Sequence, residues 1–148
     1  QFVAAGASDL PADYTQGVVA EYRKRRDVLY RGLKTVPGAF LTKPEGAFYF
    51  IARLPVESGD DFASWMLSDF SLNKATVMVA PAAGFYATPG LGADEVRIAY
   101  VLNANDLEAS VKILAAGLEK YAATRALRGS AEPVGAASAG PDFTPTGS

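Results

Sequence analysis

Apolar residues along this chain follow two rhythms, one with the spacing of a helix and one of short unbroken runs, and the two mark out its elements. Between about residues 14 and 35, Val18, Tyr22, Leu29 and Leu33 recur at helical spacing with charges between them, predicting a long amphipathic helix. Asp13 is its expected N-cap, with Gln16 three residues on in capping-box position, and Pro37-Gly38 ends it. Residues 39–41 suit a short strand. Residues 47–52 (AFYFIA) are apolar without a break, as in a strand covered on both faces. Asp60 is the expected cap of a short helix over 61–70, whose buried stripe is Phe62, Trp65, Met66 and Phe70. A last helix follows Asn103-Ala104-Asn105, with Asn105 and Glu108 as its capping pair. Leu107, Val111, Leu114, Leu118 and Tyr121 form its stripe, and its end is expected near Thr124.

Residues 76–102 organise the rest. Two β-branched apolar runs, 76–80 and 95–102, read as strands. They are joined by a loop punctuated by Pro81, Gly84, Pro89, Gly90 and Gly92. Alternation puts Val96, Ile98 and Tyr100 on one face of the second strand and Glu95, Arg97, Ala99 and Val101 on the other. An unpaired buried charge is too costly to keep, so Arg97 is either solvated or held beside an anion. The order helix, strand, helix, strand, strand, helix predicts an α+β two-layer sandwich with a small, mostly antiparallel sheet and helices on one face. Three helices of this length cover one side of such a sheet, so part of the other side is expected to lack a partner within the chain.

Composition removes chemistry from consideration. The chain has 148 residues, 49% of them hydrophobic and 20% charged, with net charge −2, which suits one soluble domain. The balance speaks against nucleic-acid or anionic-membrane partners, and Arg23-Lys24-Arg25-Arg26 reads as a solvated helix face. With neither cysteine nor histidine, thiolate and Ser-His nucleophiles, histidine bases and the common soft metal ligands are all excluded. No apolar run reaches the roughly 20 residues that span a bilayer, and a cytoplasmic setting is expected. Gly90-Leu91-Gly92 lacks the third glycine and the following helix of a phosphate loop. Ser71 to Lys74 matches a Ser-x-x-Lys pattern without its companion motifs.

The blocks EYRKRRDVLYRGL at 21–33, KPEGAFYFIARLP at 43–55, VMVAPAAGFY at 77–86 and EVRIAYVLN at 95–103, with the final helix, form a set in order and spacing. Together they resemble the C-terminal small domain of a pyridoxal-phosphate-dependent class I/II aminotransferase, fold type I, of the aspartate aminotransferase superfamily. The resemblance implies that Arg97 is the arginine that grips the substrate α-carboxylate and that Phe85 is an aromatic near the active-site mouth. It implies pyridoxal 5'-phosphate as cofactor, an amino acid (aspartate by family analogy) and a 2-oxo acid as substrates, and a homodimer for the complete protein.

The departure from the family pattern lies in the lysines. The family needs a lysine in a Ser/Thr-x-Ser-Lys segment followed by a phosphate-binding arginine. Lys24, Lys34, Lys43, Lys74, Lys112 and Lys120 all lack that context. The expectation is therefore a truncated piece, inactive alone, whose catalytic and cofactor-binding residues belong to a missing large domain. Residues 1–12 are expected to be the end of an inter-domain helix or linker, 13–125 the small domain, and 126–148 a disordered low-complexity tail. Two other readings stay open: a non-catalytic carboxylate-binding α+β module, and a pseudo-enzyme remnant.

Overall fold

The first helix, α1 (Ala12–Leu33), opens without the expected cap. Pro11 occupies the N-cap position, no side chain bonds the first turn, and Asp13 sits one residue inside the helix. There its carboxylate faces the positive end of the helix dipole instead of a specific N–H. At the other end the Thr35 hydroxyl donates to the Gly32 carbonyl at 2.7 Å, and Gly38, at φ +77°, turns the chain toward the sheet. The structure, a computed structural model, describes residue 6 and residues 10–129. The expectations for residues 1–12 and 126–148 thus fall largely outside the described residues.

Four strands form one antiparallel sheet in the order β1 (Phe40–Leu41), β2 (Tyr49–Arg53), β4 (Glu95–Ala99), β3 (Ala80–Pro81). In register, Tyr49 stands opposite Ala99, Ile51 opposite Arg97 and Arg53 opposite Glu95, and Ala80 faces Arg97 from the other side. This pairing is fixed at one end by Tyr100. Its N–H donates to the Phe48 carbonyl at 2.8 Å, and its hydroxyl donates to the Ala47 carbonyl at 3.0 Å. Phe50, Ala52, Val96 and Tyr100 point into the core from the strands, so burial alternates as the 95–102 run led one to expect.

Both strand runs are shorter than the apolar stretches that announced them. Residues 76–79 do not join the ladder; pairing begins at Ala80. A tight turn precedes them, with Asn73 and Lys74 both at positive φ and Leu72 bridged to Ala75, which accounts for the Ser71 to Lys74 stretch. The Thr76 hydroxyl then donates to the Met66 carbonyl at 2.7 Å, tying the segment to a helix instead of a strand. Val79 is nevertheless buried and Val77 half-buried, while Met78 between them is 80% exposed, so the apolar run reported burial at alternate positions only and ladder pairing not at all.

Helix α2 (Gly59–Ser68) is capped by Ser58, not Asp60: the Ser58 hydroxyl accepts from the Asp61 N–H at 3.1 Å. Gly59 follows because a Cβ there would lie 2.9 Å from the Glu95 carbonyl oxygen. Helix α3 (Ala104–Gly129) is capped by Asn103, whose side-chain oxygen accepts from the Asp106 N–H at 3.0 Å, so the cap is two residues earlier than Asn105. The helix also continues past Thr124, with Arg125 paired to Glu57. The expected stripe from Leu107 to Tyr121 is buried against Leu29, Leu33, Phe62 and Met66. The result is the α+β two-layer fold, with the helices on one face of the sheet.

Candidate functional site

The other face of the sheet carries Phe40, Tyr49, Ile51, Arg53, Glu95 and Arg97 in neighbouring register. Arg97 is exposed, at the centre of β4, with Ile51 on one side and Ala80 on the other. Small and apolar neighbours leave room above its guanidinium. Two rings approach it: the guanidinium carbon lies 5.3 Å from the centre of Tyr49 and 5.0 Å from that of Phe85. Among the described residues it makes no ion pair and no side-chain hydrogen bond. Its five N–H donors are thus available to a planar acceptor, which a carboxylate matches with two parallel bonds.

The structure brings both site residues expected from the sequence, Arg97 and Phe85, into contact with each other. Phe85 ends a single turn of 3-10 helix (Ala83–Phe85) in the loop from β3 to β4, which carries its ring across the sheet to Arg97. Tyr49 was not singled out from the sequence. The signal was present in the alternation of the 47–52 run, which puts Tyr49 on the same face as Ile51, but the run alone does not say that Arg97 is its neighbour.

Two more polar groups share the face. Arg53 stacks on Phe40 at 5.2 Å. Glu95 accepts a hydrogen bond from the Tyr86 hydroxyl, and the carboxylate beside it holds the Tyr86 phenol above its usual range. A shallow depression of about 460 Å³ runs between them, bordered by Phe40, Tyr49, Arg53, Tyr86 and Glu95.

A cofactor aldehyde needs a lysine in a desolvated setting, and the residues here do not supply one. Lys24, Lys34, Lys43, Lys74, Lys112 and Lys120 are all exposed. Lys43 pairs with Asp27, whose carboxyl is held below its usual range by hydrogen bonds from Arg26 and then Lys43. Among the described residues, Arg97 thus offers donors that suit a carboxylate, and none of the six lysines offers a desolvated amine to a cofactor aldehyde. No group of metal-ligating side chains occurs among them, and no helix among them is long and apolar enough to cross a membrane.

No family model matches the chain. Individual proteins do. It is 32% identical over 99 residues to an aspartate aminotransferase of Pyrococcus horikoshii, an alignment covering 67% of this chain and 24% of that protein. It is 37% identical over 92 residues to an LL-diaminopimelate aminotransferase of Desulforudis audaxviator, covering 62% of this chain and 22% of that one. The proteins it resembles, in sequence and in fold, are class I aminotransferases. It spans about a quarter of the length of the curated relatives it matches.

Among solved structures, the fold superposes on the alpha-aminoadipate aminotransferase of Thermus thermophilus, complexed with N-(5'-phosphopyridoxyl)-L-leucine, with a TM-score of 0.63 at 20% identity. That match covers 76% of this chain and 29% of the other. At such identity the likeness speaks for the aminotransferase fold. Within that fold, the open sheet face of this chain bears its free arginine.

Proposed function

We propose that this chain is the carboxylate-binding portion of a pyridoxal-phosphate-dependent aminotransferase, which moves an amino group between an amino acid and a 2-oxo acid. The observation that carries the proposal is Arg97: a free guanidinium on an open face, steadied by two rings, in a chain of aminotransferase sequence. Arg97 takes the α-carboxylate of the substrate in a two-pronged grip, which sets the direction of the Cα–H bond. The rings of Tyr49 and Phe85 lie beside the guanidinium and restrict it, so less freedom is lost when its planar fork grips a carboxylate. Pyridoxal phosphate, when bound, supplies the electron sink for the reaction. Its anchors are assigned to the remaining length of the protein, since the six lysines here do not suit it.

The relatives' names include aspartate and LL-diaminopimelate, which supports aspartate as the first substrate to try. A homodimeric whole and a cytoplasmic setting belong to the proposal on the strength of the resemblance. The deciding experiment is steady-state turnover by the complete protein with Arg97→Ala and Arg97→Lys. Loss with every amino acid supports the assignment, and unchanged turnover by Arg97→Ala overturns it.

A further inference from the structure

The loop that carries Phe85 to Arg97 is long and rich in proline and glycine, with Gly90 and Gly92 both at positive φ. Such a loop does not hold a ring in place without a tether. The structure contains one. The residue next to Phe85, Tyr86, folds back so that its ring lies on Gly92, where an added Cβ would collide with the ring. Its hydroxyl donates to the carboxylate of Glu95, which is already part of β4. The Glu95 N–H donates in turn to the Gly92 carbonyl at 3.1 Å, and the Ala82 N–H to the Glu95 carbonyl at 2.9 Å. Both ends of the loop and its far limb thus converge on Glu95, two residues from Arg97 on the same sheet face.

We propose that Tyr86 is a positioning residue: clasped by Glu95 and seated on Gly92, it holds Phe85 against the Arg97 guanidinium and so orders the carboxylate-binding site. The rings that approach the guanidinium are those of Tyr49 and Phe85, so Tyr86 acts through Phe85. A bond to an ionised carboxylate is stronger than one between neutral groups, which suits a clasp that must order an exposed loop. The clasp also explains Gly92, since its φ of +69° and the overlying ring both require the absence of a side chain. This inference rests on the carboxylate-binding reading of Arg97 for its functional consequence, though not for its geometry.

Geometry and function are tested separately. The two rings beside Arg97 should shift its side-chain protons upfield, and the part owed to Phe85 is the difference between the unaltered chain and Phe85→Leu. In NMR spectra of the full chain, Tyr86→Phe and Gly92→Ala should each lose that part, while Glu95→Gln, which keeps a carbonyl acceptor for the phenol, should retain it. Unchanged far-UV circular dichroism separates this from unfolding. If Tyr86→Phe keeps the Phe85 shift intact, the clasp is not what holds the ring, and the proposal is overturned. In the complete protein, Tyr86→Phe should raise KM for amino acids about two- to fivefold, the scale of one exposed cation–ring contact, with kcat nearly unchanged. A parallel fall in kcat with no change in KM would also overturn it. Failure of the Arg97 reading shows instead in Arg97→Ala, and leaves the NMR result standing.

Discussion

Tyr49 and Arg97 meet across a diagonal of the β2–β4 ladder. Tyr49 is paired with Ala99, and Arg97 with Ile51, yet the guanidinium lies 5.3 Å from the Tyr49 ring centre. Diagonal neighbours on one sheet face are within reach of long and aromatic side chains. The position of Arg97 is therefore a consequence of register, and register is held by the Tyr100 bonds to Ala47 and Phe48 at the end of the ladder. A slip of one residue would turn Arg97 into the helical core, where an unpaired charge is prohibitive.

Pyridoxal phosphate offered to this chain alone should leave no persistent adduct at any one lysine. All six lysines are exposed, so none has the desolvated setting or the anchored phosphate that would favour a stable linkage. Borohydride trapping followed by peptide mapping checks this. Scattered, weak labelling is expected, and one dominant site would refute it.

Two glycines of α1 should respond oppositely to the same substitution. Nothing lies within 4 Å of a Cβ built on Gly17, so Gly17→Ala should stabilise the chain by about 0.5–1 kcal/mol through helix propensity. A Cβ on Gly32 would stand 2.7 Å from one methyl of Val111, a β-branched side chain with little freedom to move. Overpacking there costs about 1–3 kcal/mol and outweighs the propensity gain. Urea unfolding of both variants decides it, and stabilisation by Gly32→Ala would mean that α1 and α3 are less closely packed than described.

Much of this fold was legible in the sequence because burial was. The stripes of α2 and α3 and the alternation about Arg97 are where the pattern put them, since each reports a side chain entering one core. The hydrogen-bonded ends were less legible. Ser58 and Asn103, not Asp60 and Asn105, cap their helices, because neighbouring residues can all cap and only the tertiary approach chooses among them. Residues 76–79 read as a strand because burial and pairing leave the same mark on a β-branched run. At the site, Arg97 and Phe85 were visible as motif residues. Tyr49 and the Tyr86–Glu95 clasp were not, since they depend on the register and on a loop's return path.

The open sheet face should make the isolated chain self-associate. Phe40 and Phe85 are each 61% exposed on it, beside Tyr49 and Tyr86, and a cluster of exposed rings on one face favours association. Sedimentation should show concentration-dependent association, with binding of a hydrophobic dye, and Phe40→Glu should reduce both. A clean monomer that binds no dye would show that this face is tolerated in water.

Arg97 carries the strongest prediction. In the complete protein, Arg97→Lys keeps the charge but loses the planar fork, and Arg97→Ala loses both. Truncating one partner of a desolvated charge pair costs about 2–5 kcal/mol, so the lysine variant should fall near the low end, roughly thirtyfold, and the alanine variant well beyond it. The fall should appear in kcat/KM for every amino acid alike, because the α-carboxylate is common to them all. For an amine lacking that carboxylate it should be much smaller, since such a substrate never used the contact. Folding should be little affected, because Arg97 faces away from the helical core and makes no ion pair among the described residues. Turnover of amino acids by Arg97→Ala within a few-fold of the unaltered protein would leave Arg97 as a solvated strand residue, and the carboxylate would have to be held elsewhere.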